Sequence, residues 1–153
     1  MTKTSDLSAV DLQGKRVAVV CARFYPELAD WLLVGARRAL ADCNVAEDDL
    51  VIVDVPGCFE LPLAAARLIE SSGCDAVVAL GAVVRGQTPH FDYVAAECAR
   101  GIMSVQLKTC CPIGFGVLTT DTYAQAQERA DPARGNKGYA AAMAAASLLK
   151  IPA

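Results

Sequence analysis

Apolar positions along this chain alternate between two periods. Residues 16–22 (RVAVVCA) and 76–84 (AVVALGAVV) are near-continuous apolar runs rich in valine, as expected of strands buried on both faces of a parallel sheet. Residues 50–55 and 113–118 read as two further strands. Between them the apolar positions fall at helical spacing. Leu28, Trp31, Leu32, Gly35 and Leu40 define an amphipathic helix ending near Cys43, and Pro62 suits the first turn of a second helix. A third helix runs to about Thr109, a short fourth ends near Ala130, and an alanine-rich fifth reaches Lys150. Four alternations of strand and helix predict an α/β fold, a parallel sheet covered on both faces and joined by right-handed crossovers.

The strand ends are marked by unusual residues. The run 76–84 stops at Arg85-Gly86, and Gln87-Thr88-Pro89-His90 follows, with Thr88 as the expected N-cap, Pro89 at the first helical position and Asp92 in the first turn. Free N–H groups and the positive end of the helix dipole make such a turn an anion site. It holds the chain's single histidine. A helix N-terminus disfavours the imidazolium, so His90 is expected to be available as a proton acceptor, or else to be a partly buried histidine that only hydrogen-bonds. Farther along, Thr122 and Gln125 have capping-box spacing, and Asn136 is placed to cap the last helix. Ligands of open α/β sheets bind beyond the carboxyl ends of the strands, where Phe24, Phe59-Glu60, Gln87–His90 and Thr119–Asp121 all fall.

Composition narrows the function. The chain has 153 residues, enough for one core, with 54% hydrophobic and only 20% charged. A large subunit interface would account for that apolar excess. A net charge of −3 without a Lys/Arg cluster argues against nucleic acid as a partner. Seven cysteines without C-x-x-C spacing, beside one histidine, suit reduced buried thiols in a cytoplasmic protein better than disulfides or zinc. Residues 1–14 read as an N-terminal arm, since Asp6 and Asp11 interrupt any signal-peptide core, and 15–153 as a single domain. No run reaches the roughly twenty apolar residues of a membrane span.

Taken singly, the candidate residues have two readings each. Phe24 is either a core aromatic or a flat apolar face for a ring ligand. Glu60 either complements a helix dipole or accepts from ligand hydroxyl and N–H groups. Arg129 is either a helix-terminal base or a bidentate phosphate ligand, and Lys137, beside the expected cap, reads first as a surface cation. No Walker or dinucleotide fingerprint is present.

Longer segments add a resemblance to these readings. Val55-Pro56-Gly57-Cys58-Phe59-Glu60-Leu61-Pro62, residues 81–94 (GAVVRGQTPHFDYV), Phe115-Gly116-Val117-Leu118-Thr119-Thr120 and Asn136-Lys137-Gly138, together with Arg23-Phe24, resemble the 6,7-dimethyl-8-ribityllumazine synthase family in order and spacing over nearly the whole chain. The resemblance implies a flavodoxin-like four-stranded sheet and condensation of 5-amino-6-(D-ribitylamino)uracil with 3,4-dihydroxy-2-butanone 4-phosphate. It implies no metal or organic cofactor, and an active site between subunits of a homopentamer. By position, Phe24 would stack on the pyrimidine, Cys58-Phe59-Glu60 would hold the ribityl chain, and Ala82, Val83 and Val84 would line the ring pocket. The Gln87 and Thr88 amides and Arg129 would bind phosphate, with Lys137 nearby, and His90 would move protons. Phe115 and Arg129 would reach in from the adjacent subunit.

Four places depart from the family pattern. Tyr25-Pro26 replaces a common asparagine after the aromatic, Cys58 replaces alanine or serine, and Pro89 replaces a residue that is often threonine. The linker Asp131-Pro132-Ala133-Arg134 differs from the glycine-rich one of shell-forming members, leaving assembly beyond the pentamer open. A flavin- or lumazine-binding module without turnover and a mainly structural shell protein are the two rival readings.

Overall fold

The computed structural model describes residues 8–153; residues 1–7, the first part of the expected arm, lie outside the described residues. The elements are β1 (Val17–Ala22), α1 (Pro26–Asp42), β2 (Leu50–Val55), α2 (Leu61–Ser72), β3 (Ala76–Val84), α3 (His90–Thr109), β4 (Ile113–Thr120), α4 (Tyr123–Ala130) and α5 (Lys137–Leu148). All four strands are parallel, in the order β2-β1-β3-β4. The expected α/β sandwich is therefore the observed one.

Strand periodicity distributes the core between two layers. Val17, Val19 and Cys21 of β1 and Ala76, Val78 and Leu80 of β3 pack against Leu28 and Leu32 of α1, Ala126 of α4 and Met143 of α5. Ala18, Val20 and Ala22, with Val77 and Ala79, face Leu61 and Ala65 of α2 and Cys98 and Ile102 of α3. Each fully buried valine or leucine contributes roughly 1.5–3 kcal/mol, so β1 and β3, apolar toward both layers, form the firm centre from which the site projects. On the α1 side two glycines bring helices into backbone contact. A Cβ on Gly138 would overlap the Leu32 carbonyl, and one on Gly35 would lie 2.8 Å from the Tyr139 nitrogen.

Boundaries moved where polar residues carry tertiary bonds. β4 runs two residues beyond the apolar run, because Thr119 and Thr120 pair with Val83 and Val84. The last helix ends at Leu148, short of Lys150. Asn136 precedes α5 but does not cap it. Its backbone is left-handed (φ 49°, ψ 47°), which turns the side chain toward Gly35, and its Oδ1 is buried without a hydrogen-bond partner. The capping box at Thr122 and Gln125 is present in both directions, with Gln125 N–H to Thr122 Oγ1 at 3.1 Å and Thr122 N–H to Gln125 Oε1 at 3.2 Å. All seven cysteines are free; six are buried and Cys110 is exposed. Among the described residues no helix is long and apolar enough to cross a membrane.

Candidate active site

β1 lies between β2 and β3, so the chain leaves it to opposite sides and a crevice opens beyond the strand ends. A cavity of about 660 Å³ occupies it. Its walls come from the turn after β1 (Phe24, Tyr25), the turn after β2 (Cys58, Phe59, Glu60), the end of β3 (Ala82, Val83, Val84), and the turn into α3 (Thr88, His90). Phe24 is 70% exposed and Phe59 60%, which settles the former against the core reading. Both rings present apolar surface to the opening. Gly57 and the short turn Cys58–Glu60 carry Phe59 and Glu60 to the rim while Cys58 is buried. A hydrogen bond with Cys98, then burial, raises the Cys58 thiol well above its ordinary pKa, so it stays protonated.

The turn from β3 to α3 differs from expectation by one residue. α3 begins at His90, and Pro89 (φ −68°, ψ 2°) stands in the cap position without a side-chain bond to the helix. Thr88 Oγ1 instead accepts the His90 N–H at a long 3.4 Å. The turn closes on the Pro89 carbonyl, which takes the Asp92 N–H at 3.0 Å. Among the described residues no protein acceptor takes the N–H of Gln87 or Thr88, leaving two donors at the positive end of a 20-residue helix. The Gln87 side chain is exposed and does not line the cavity.

Arg85, which sequence reasoning treated only as the end of an apolar run, fastens this turn. Its Nε donates to Asp121 at 2.9 Å, its Nη1 to Asp92 at 3.4 Å, and its guanidinium carbon lies 4.4 Å from the centre of the Phe91 ring. The ends of β3 and β4 and the first turn of α3 are thus tied together. Phe91, Tyr93 and Val94 also line the cavity and were not foreseen. The i, i+3 spacing of Phe91 and Val94 just after His90 was the available signal.

Phe115, Arg129 and Lys137 stand elsewhere in the chain. They line a second cavity, of about 740 Å³, along β4 and α5, and the two cavities share no lining residue. Phe115 is 44% exposed on β4, a strand with a partner on one side only. Arg129 uses one donor on the Gln125 carbonyl at 3.3 Å. One chain therefore holds an apolar cavity with a histidine and a separate cavity with two cations. Among the described residues no three His, Cys, Asp or Glu side chains converge as a metal site.

The model of the 6,7-dimethyl-8-ribityllumazine synthase family matches residues 14–153. The chain belongs to that family. It is also 46% identical over 139 residues to the 6,7-dimethyl-8-ribityllumazine synthase of Desulfatibacillum aliphaticivorans, an alignment covering 91% of this chain and 90% of that protein. Membership accounts for the sequence resemblance, and the α/β sheet agrees with the fold it implied.

Proposed function

We propose that this lumazine synthase family member joins 5-amino-6-(D-ribitylamino)uracil to 3,4-dihydroxy-2-butanone 4-phosphate, giving 6,7-dimethyl-8-ribityllumazine, phosphate and water. The observation that carries the reading is the first cavity, where exposed Phe24 shares the walls with His90 and with Thr88, whose N–H is one of the two unpaired amides ahead of α3. Phe24 stacks on the pyrimidine, over the floor made by Ala82, Val83 and Val84. Glu60 and the Cys58-Phe59 backbone take the ribityl hydroxyls. The Gln87 and Thr88 N–H groups hold the phosphate.

The second half of the site comes from a neighbouring protomer in a ring of five. Its Arg129 and Lys137 add charge to the phosphate, and its Phe115 closes the pocket. The disjoint cavities of the single chain and its apolar composition support that arrangement. Free thiols throughout suit a reducing cytoplasm.

In the reaction, the 5-amino group attacks the ketone and water leaves as the imine forms. His90 takes the proton from the neighbouring carbon, and the electron pair expels phosphate. The resulting enol returns to a ketone, and the ribitylamine closes the ring on it with loss of a second water. General acid/base assistance contributes about 10²- to 10⁴-fold, whereas holding the partners in position is worth roughly 7–11 kcal/mol, so positioning dominates.

Mixing both substrates with the purified protein and following the lumazine chromophore tests the proposal. Enzyme-dependent formation of lumazine is expected. Binding of riboflavin or lumazine without turnover would favour a binding module, and large particles with neither would favour a shell.

A further inference from the structure

The ring of Phe24 stands on the turn after β1 with 70% of its surface exposed. A platform that loose would surrender rotamer freedom each time a heterocycle stacked on it, weakening binding. The structure holds it from behind. The Tyr25 ring meets Phe24 edge-on at 4.9 Å between centroids and 72° between planes. On its other side Tyr25 meets Tyr123 at 5.6 Å and 58°. Tyr123 Oη donates to Glu27 Oε2 at 3.1 Å, and Glu27 lies in the first turn of α1, immediately after the Phe24-Tyr25 turn. The loop of contacts is therefore closed. Its distant anchor is firm, because Tyr123 opens α4 directly after the reciprocal capping box of Thr122 and Gln125.

We infer that Tyr123, which lines neither cavity, is a positioning residue that orients Phe24 through Tyr25 and so sets affinity for the pyrimidine substrate. The inference rests on the function proposed above. Tyr25 lines the cavity and can touch substrate itself, whereas Tyr123 acts only through the rings in front of it.

Steady-state kinetics on Tyr123→Ala, Tyr123→Phe and the Phe24→Ala background separate the roles. Loss of one aromatic contact predicts a rise in KM for the ribitylaminouracil of about 3- to 10-fold in Tyr123→Ala. The KM for the butanone phosphate and kcat should stay within about twofold, since the α3 turn is untouched. Tyr123→Phe keeps the ring and should remain within about twofold of native in every parameter. In Phe24→Ala the added Tyr123→Ala change should have no further effect on KM, because the ring to be oriented is gone. Should Tyr123→Ala fold poorly, Tyr123→Leu supplies apolar bulk without the ring and carries the same expectation. An unchanged pyrimidine KM, an equal rise for both substrates, or additivity with Phe24→Ala overturns the inference while native turnover leaves the function standing. A native protein that makes no lumazine overturns the function, and the inference with it.

Discussion

Splitting the proposed site between protomers has a consequence that mixing variants can expose. Phe24→Ala/His90→Ala damages only the first cavity, and Phe115→Ala/Arg129→Ala only the second. Losing His90 costs about 10²- to 10⁴-fold, and losing the charge-assisted bonds of Arg129 about 10- to 150-fold at low phosphate substrate. Each parent is thus nearly silent. In a ring every contact is head-to-tail, so one chain's first cavity always meets the next chain's second. When the two variants are mixed equally and co-assembled, about a quarter of the contacts join two undamaged halves. Lumazine formation at substrate concentrations below the native KM should therefore recover to about a quarter of native, at least about 2.5-fold and up to about 40-fold above the Phe115→Ala/Arg129→Ala parent on the Arg129 loss alone, and further above the other. A built-in control is Phe24→Ala mixed with His90→Ala. Both lesions lie in the first cavity, so no contact is repaired and only the average of the parents is expected. If native mass spectrometry proves mixed rings yet activity stays at parental level, the halves do not meet across the contact and the reasoning fails.

His90→Ala alone should lower kcat by about 10²- to 10⁴-fold while leaving turnover measurable above the uncatalysed condensation; a folded variant that is wholly inactive would contradict the dominance of positioning. Gly138→Ala forces a Cβ into the Leu32 carbonyl and should destabilise the protein by about 1–3 kcal/mol. At a fixed protein concentration that lowers the thermal midpoint by about 2–12 °C, and a shift under about 1 °C would disprove the close crossing of α1 and α5. Native protein at pH 8 should lose one thiol per chain, Cys110, to a disulfide reagent, and all seven only after denaturation. Burial protects all six, including Cys74 and Cys98, whose pKa values the hydrogen bonds with Cys111 and Cys58 lower; for two of the others the raised pKa adds to it. Burial foremost, then Asp54, pushes Cys21 up to about 11, and Cys58 is also raised, so both remain protonated thiols at pH 8. Rapid loss of a second thiol would contradict their burial.

The centre of the fold was legible because β1 and β3 face helices on both sides, which removes every polar residue from the runs and makes their limits plain. Glycine and proline punctuation then located the turn at His90, and the capping box located α4. Contacts fixed only by tertiary packing were hidden. Tyr25 and Tyr123 lie 98 positions apart in the sequence, and nothing in either neighbourhood signals their contact. Arg85 reads as a polar stop until β4 and α3 bring Asp121 and Asp92 beside it. Thr119 and Thr120 look like loop because ladder bonds to β3, not hydrophobicity, keep them in the strand. Asn136 has the right residue type for a cap and the wrong backbone, since the crossing at Gly35 claims its side chain. A separate location for Phe115 and Arg129 was implied by resemblance alone, and that of Lys137 was not foreseen, since spacing cannot say which side of a sheet edge two residues share.

That separation follows from the sheet order. β4 ends the sheet, so its outer edge presents unpaired backbone beside an exposed Phe115 and Thr119, a surface that isolated proteins usually blunt. Here the cations Arg129 and Lys137 flank it. Cations deter pairing by another strand of any sequence, yet they attract an anion held at the mouth of a neighbouring cavity. The first cavity supplies the complementary lack: its amide and dipole favour phosphate, but among the described residues no lysine or arginine lines its walls, and Arg85 beside it is committed to two carboxylates. In the proposed ring a dianion bound there by one chain would be under-compensated until the next chain's β4 edge arrived. Assembly would thereby complete the charge balance of the reaction and cover the exposed edge in one step, giving the same surface a structural and a chemical reason to be apolar at Phe115 and basic around it.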